Sequence, residues 1–238
     1  MVINSEGPNE TNSEANNLQE QAYEAIRRLI IHGDLEPGRK VSEKSLEDIL
    51  KIGRTPVREA LIQLRKQKLI YAIPQSGTYV SKIDLKSADN ARFAREQLER
   101  KIFMETTAKI DDQGKKVLEA ILEEQGAAVQ RHDRRSFFHL DNVFHQTCFE
   151  IAGRSEIWHW LDANNTNLDR FRWLRLSVPD LKWEGIMDQH YALLMAIQER
   201  NVDEAEFLAI LHLHMMLEEK QAVTEAYPDY FTDESLIY

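Results

Sequence analysis

From Leu18 onward the chain sets apolar residues at helical spacing. Leu18, Ala22, Ala25, Ile26, Leu29 and Ile30 share one face, and the pattern ends near His32-Gly33. Gly33-Asp34-Leu35-Glu36-Pro37-Gly38 is a double turn signal. A short helix containing Leu46 and Ile49 then opens at Ser42, three residues before Ser45. After a break at Lys51-Ile52-Gly53 comes Thr55-Pro56, a good N-cap followed by the residue favoured at the first helical position. Val57, Ala60, Leu61 and Leu64 carry that helix to about Gln67. Two strand-like runs, 69–73 and 78–81, flank Pro74-Gln75-Ser76-Gly77.

Beyond Leu85 the pattern is helical throughout, with expected spans 86–109, 112–131, 133–152, 155–176, 184–200 and 202–225. No alternation of Val, Ile and Thr suggests a second sheet, and no repeat at a period of 20–50 residues is visible. The fold class expected is therefore mainly α. An N-terminal winged helix-turn-helix with a small β-hairpin wing is joined to an all-helical bundle of about six helices. The expected divisions are a disordered tail over 1–17, a winged helix-turn-helix over 18–82, a helical domain over 83–226 and a C-terminal tail over 227–238. The aromatic stretch Tyr227-Pro228-Asp229-Tyr230-Phe231 at the start of that tail is able to dock on the bundle or to remain a tail.

Charge sharpens this division. The 238 residues carry a net charge of −10, distributed as −3 over 1–17, +4 over 18–82 and −11 over 83–238. A basic module of this size fused to an acidic one fits a nucleic-acid reader attached to a second function. The one Cys excludes an intrachain disulfide and any Cys-rich zinc module. No apolar run approaches the length that spans a bilayer, and the polar, acidic N-terminus lacks the basic and apolar regions of a signal peptide. A soluble, cytoplasmic protein with no membrane partner is expected.

The strongest local motif is Arg54-Thr55-Pro56-Val57-Arg58-Glu59-Ala60-Leu61. With the apolar positions inward, Arg54, Thr55 and Arg58 lie at or near the N-terminal end of a helix. That end carries free N–H groups and the positive dipole pole, which suit phosphate and base edges. Taken alone, the two arginines could equally solvate an amphipathic helix. The flanks add Ile30-x-x-Gly33-x-Leu35-x-Pro37-Gly38, Val41-Ser42-Glu43-x-x-Leu46 and Gly77-x-x-Val80. Together these resemble the winged helix-turn-helix of GntR-family transcription regulators across residues 18–82. The resemblance implies that Lys44, Arg54, Thr55 and Arg58 contact operator DNA and that Gly77 sits at the wing tip. Two departures stand out. Lys51-Ile52-Gly53 replaces the family's usual Gly-Val-Ser, and Gln75-Ser76-Gly77 lacks the basic residue that commonly precedes the glycine.

With Cys chemistry absent, a metal site must use His and carboxylates. Asp141 and His145 are four apart on one expected helix, and His190 and His212 fall in the apolar registers of the last two. Three imidazoles and a carboxylate suit Zn²⁺, Ni²⁺ or a related divalent ion. Each histidine taken singly is more readily an ordinary helix-surface or core residue. The set, with Arg95-x-x-Leu98-Glu99 and Phe144-His145-x-x-x-x-x-Ile151-Ala152-Gly153, resembles the FCD-type effector domain of the FadR subfamily. That resemblance implies Asp141, His145, His190 and His212 as metal ligands and Arg95 as the partner of an effector carboxylate. Arg172, on the Arg-rich stretch after Asn164, is a candidate second anchor, or else part of a solvated face. His214 should face elsewhere, and His132, His139 and His159 are read as ordinary helix-surface or core residues. Cys148 is read as a small buried residue.

The function expected is that of a DNA-binding transcription regulator, a repressor rather than an enzyme. It would act as a homodimer on pseudo-palindromic double-stranded operator DNA. A small organic or sugar acid bound at a metal site, zinc foremost and nickel next, would control it. The alternative is a metal-dependent enzyme on a helical bundle with an accessory DNA-binding module. Neither the Glu-x-x-His pairs of di-iron bundles nor the His-Glu-x-x-His of zincins is present to support it.

Overall fold

A computed structural model describes residues 9–232. Residues 1–8 of the polar N-terminal stretch and 233–238 of the C-terminal tail lie outside the described residues. Two compact units divide the chain after Ile83, with the short segment Asp229–Thr232 belonging to the first. Among the described residues no helix is long and apolar enough to cross a membrane.

The first unit begins with α1, Asn9–Ile31. Its start lies inside the stretch expected to be disordered. Once the amphipathic turns from Ala22 onward are nucleated by packing, each further turn upstream costs little, and nothing helix-breaking intervenes. Helix α2, Glu43–Leu50, carries a capping box: Ser42 accepts from the Ser45 backbone N–H, and the Ser45 side chain returns the bond. It ends where Lys51 takes the left-handed conformation.

Helix α3, Arg54–Lys66, starts two residues earlier than the Thr55 cap expected from sequence. Gly53 is the N-cap, without a side-chain bond, and Pro56 falls in the first turn, where its missing N–H is harmless. Val57, Ala60, Leu61 and Leu64 all turn inward and pack with Ile26, Ile30 and Leu46 of the first two helices.

Strand β1 is Lys40–Val41, β2 is Ile70–Ile73 and β3 is Gly77–Val80, in the antiparallel order β1-β3-β2. The hairpin was legible from sequence; β1 was not, because two residues are too short for any periodicity. Ile73 pairs with Gly77 and Lys40 with Tyr79. From Asp229 on, the aromatic segment offered from sequence for docking on the bundle belongs with the first unit instead: Phe231 is fully buried and bridges to Ile83.

The second unit holds α4 Leu85–Lys109, α5 Asp112–Gln130, α6 Arg134–Ala152, α7 Ser155–Asn164, α8 Thr166–Arg175, α9 Glu184–Gln198 and α10 Val202–Ala226. Asp84, Asp111, Asp133 and Asn201 each cap a helix by accepting a backbone N–H with the side chain. The single helix expected over 155–176 is two. The break falls at Asn165 within Asn164-Asn165-Thr166-Asn167, a run whose short polar side chains compete for backbone groups, as Asn164 does by donating to the Trp160 carbonyl. That makes seven α-helices among the described residues of the second unit rather than about six. Helix α4 is central, packing on α6, α8 and α10, while α5 packs on α6 and α9.

Candidate metal centre and nucleic-acid interface

Within the second unit, α6 brings His145, α9 brings His190 and α10 brings His212 to one point. One ring nitrogen of each lies within 4.8 Å of the others. The geometry is set from behind. His145 turns its Nδ1 to Glu99 Oε2 at 2.7 Å, His190 its Nδ1 to Gln125 Oε1 at 2.9 Å, and His212 its Nδ1 to Gln189 Oε1 at 2.9 Å. Gln125 and Gln189 pair with an imidazole Nδ1 by hydrogen bonds, whereas Glu99 meets His145 Nδ1 as a charge contact without hydrogen-bond geometry. With a proton on each Nδ1 the three Nε2 lone pairs face one another. His145 Nε2 and His212 Nε2 are 3.2 Å apart, and His190 Nε2 is buried with no hydrogen-bond partner. Two ligands ~2.0–2.1 Å from a tetrahedral zinc lie ~3.3 Å from each other, so the His145–His212 separation and the orphaned nitrogen both fit such an ion.

Burial pushes His190 down to about 3, Asp141 only partly opposing it, and burial likewise pulls His212 well below the usual range. These two imidazoles are therefore neutral at pH 7, the form that binds a cation.

Asp141 stands beside this cluster rather than inside it. Its Oδ1 is 3.7 Å from His190 Nε2, while its Oδ2 accepts from Arg172. Burial alone would raise its carboxyl; Arg172 and the three histidines outweigh that and hold it well below the usual carboxylate range. Arg172 also donates to Asp169 Oδ1 at 2.8 Å and Asn142 Oδ1 at 3.0 Å. Arg95, 2% exposed, meets a carboxylate of its own chain: its Nε donates to Glu99 Oε1. Its Nη2 is buried without a partner. Arg95, Arg172, Asp141 and His212 all line one cavity of about 640 Å³, counted to its open mouth, whose remaining wall is largely apolar. The structure thus brings all four expected ligands and both arginines to one region. His214 is directed away, 3.3 Å from Glu96, and His132, His139 and His159 are exposed.

In the first unit, Arg54, Thr55 and Arg58 are exposed at the start of α3, and Lys44 is exposed on α2. Arg54 is tethered, its Nε donating to Glu43 Oε2 at 2.9 Å, yet its side chain remains 76% exposed. Gly77 closes the wing turn at φ 145°, a conformation other residues rarely adopt. The Lys40 side chain of β1 lies across it, so close that a Cβ on Gly77 would meet Lys40 Cε at 2.5 Å. A cation therefore does reach the wing tip, supplied by the neighbouring strand.

Residues 18–80 match the model of the bacterial regulatory proteins of the gntR family, and residues 91–215 match the FCD domain. The HTH-type transcriptional repressor RspR of Escherichia coli K12 is 30% identical over 220 residues, which cover 91% of this chain and 95% of that protein. The chain belongs to the GntR family. This GntR-family protein is accordingly a DNA-binding transcription regulator carrying an FCD effector-binding domain, a domain type that often binds metal. The gluconate operon transcriptional repressor of Bacillus subtilis is also 30% identical, over 80% of this chain and 79% of its own length. Among solved structures, E. coli McbR/YncC superposes with a TM-score of 0.75 at 16% identity, covering 88% of this chain and 98% of that one, a likeness of fold.

Sequence reasoning about this GntR-family regulator missed the groups that hold the imidazoles. Glu99 was visible in the motif without a role, while Gln125 and Gln189 are neutral residues on apolar helix faces and carry no spacing signal. Lys40 was hidden because its part depends on strand pairing.

Proposed function

We propose that this regulator is a repressor working as a homodimer on a pseudo-palindromic operator, and that a small carboxylate bound with a divalent ion in the helical unit sets its operator affinity. The observation that carries this reading is the adjacency of two features: three Nε2 atoms facing one another, and a cavity bordered by His212, Asp141, Arg95 and Arg172.

His145, His190 and His212 would hold the ion, with Asp141 near enough to His190 to join them. The ion, zinc by ligand type with nickel next, would supply a positive centre to which carboxylate and hydroxyl oxygens bind. Arg95 offers its buried, unpartnered Nη2 to an anion in the cavity. Arg172, on the other side, is already balanced by Asp141 and Asp169 and would orient rather than attract. A hydroxy acid or sugar acid suits this combination of cation, arginine and apolar wall, and the gluconate operon in the name of one relative supports that class.

In the DNA-binding unit, Arg54, Thr55 and Arg58 would enter the major groove at the positive end of α3. Lys44 would approach the backbone, and Gly77 would let the wing come close. Effector binding changes operator affinity only as far as the DNA-competent state and the released state bind it unequally.

The test is fluorescence anisotropy with a palindromic fragment of the regulator's own promoter, using zinc-loaded protein and a panel of hydroxy and sugar acids. The reading expects specific binding that at least one acid shifts several-fold in wild type and not in Arg95→Met. Operator binding indifferent to every acid and to zinc removal would contradict it.

A further inference from the structure

Glu99 is fully buried, with one oxygen hydrogen-bonded and the other in charge contact, each against a different partner. Oε1 accepts from Arg95 Nε, and Oε2 lies 2.7 Å from His145 Nδ1. Burial alone would raise its carboxyl, but Arg95 and His145 outweigh that and hold it ionised. Arg95 lines the cavity with an unpartnered Nη2, and His145 presents Nε2 to the other imidazoles. One carboxylate therefore joins the anion-facing arginine to the ion-facing histidine through two direct contacts.

The geometry points to Glu99 as the positioning residue that couples the two halves of the effector site, so that the ion at the histidines tightens carboxylate binding at Arg95. This rests on the metal-and-carboxylate reading above and states how that site is regulated.

The physical chain is short. A cation on His145 Nε2 draws electron density from the ring and makes its Nδ1 edge more positive, which strengthens its attraction to Glu99 Oε2 2.7 Å away. Glu99 holds a single negative charge, shared between two partners in a site from which water is excluded. A stronger bond to His145 pulls that charge away from Arg95. The guanidinium is then less neutralised, and in low dielectric an under-neutralised buried cation gains more from an incoming anion. The coupling is reciprocal: a carboxylate on Arg95 relaxes its grip on Glu99 and strengthens the hold of Glu99 on His145, which favours the ion. A direct bond between ion and carboxylate adds to this coupling and does not pass through Glu99. Only the share transmitted by the relay disappears when Glu99 loses its charge.

The test is calorimetric titration of D-gluconate, as a hydroxy acid probe, into full-length protein, first metal-free and then loaded with stoichiometric Zn²⁺. Wild type, Glu99→Gln and Glu99→Asp are compared. In wild type the zinc-loaded form is expected to bind the probe about tenfold tighter, within the common range of coupling between sites. In Glu99→Gln, which keeps size but not charge, the ratio is expected to fall to about twofold or less while zinc still binds. Glu99→Asp keeps the charge but is a methylene too short to span both partners, so it is expected to lose most of the ratio too, and it serves if Glu99→Gln does not fold.

An unchanged ratio in both variants would overturn the relay while leaving the metal-and-carboxylate site standing. A wild-type ratio near one would do the same. Wild type that takes up zinc but no carboxylate removes the anion the relay serves, and wild type that takes up neither overturns the relay together with the reading beneath it.

Discussion

His145 and His212 point their Nε2 atoms at each other across 3.2 Å, from helices whose residues lie 67 positions apart in the chain. Both rings are turned that way from behind, by Glu99 and by Gln189. With the proton of each ring on Nδ1, facing backward, two lone pairs would confront each other at this distance, with the orphaned His190 Nε2 beside them. An arrangement of that kind is unfavourable by itself and becomes favourable around a cation.

The groups behind the rings should therefore matter nearly as much as the rings. Gln125→Leu removes the acceptor for His190 Nδ1 with little change in volume. The expected outcome is a loss of roughly 10–100-fold in zinc affinity, measured by competition with a chromophoric chelator, with the far-ultraviolet circular dichroism unchanged.

Arg58 is exposed near the start of α3 and has no role in the core. Arg58→Ala should leave thermal stability within about 0.5 kcal/mol. It should weaken operator binding by about 1–3 kcal/mol, with relaxed preference at one base pair, read from a mobility-shift series of operator variants.

Lys40→Gln tests the cation across the wing. Lys40 is exposed and pairs through its backbone with Tyr79, so the sheet should persist. If Lys40 meets a phosphate, operator affinity should fall similarly on all sequences, and the slope of log affinity against log salt should drop by about 1. An unchanged slope would assign the side chain to covering Gly77 only.

Asp133 caps α6, the helix that carries Asp141 and His145, by accepting from the Ser136 hydroxyl and backbone N–H. The Ser136 side chain, then its backbone, lowers the Asp133 carboxyl below its ordinary value. A depressed acid stabilises the fold above its unfolded value and loses that contribution as pH falls through the folded one. Asp133→Ala should thus lower the melting temperature at pH 7 by more than it does well below pH 4, in parallel scans.

Much of this architecture was legible in the sequence. The inward stripe Val57, Ala60, Leu61 and Leu64, the Ser42–Ser45 box and the turn at Pro74–Gly77 are local signals written in adjacent residues, and they appear as elements of the first unit. In the helical unit, spacing placed His145, His190 and His212 on inward registers. What spacing could not supply was the relation between helices. Arg95 was read as requiring an external carboxylate, yet Glu99, one turn along α4, meets its Nε. Asp141 was read as a ligand equal to the histidines, yet Arg172 occupies one of its oxygens. The break at Asn165 was overlooked because the apolar period runs through it, and the start of α1 because polar residues propagate a helix that others nucleate.

Metal uptake decides most directly whether the three imidazoles form a site. Metal-free protein titrated with Zn²⁺ should bind one ion per chain, and its thermal unfolding should shift upward, by about 2.7 kcal/mol of stability at a free ion level 100 times the dissociation constant. His212, only half-buried, can be replaced with the least disturbance to packing. His212→Ala should lose that tight uptake and the shift while keeping its operator-binding unit folded. Zinc binding equally tight in wild type and His212→Ala, or absent from both, would contradict the claim that the three imidazoles form the site.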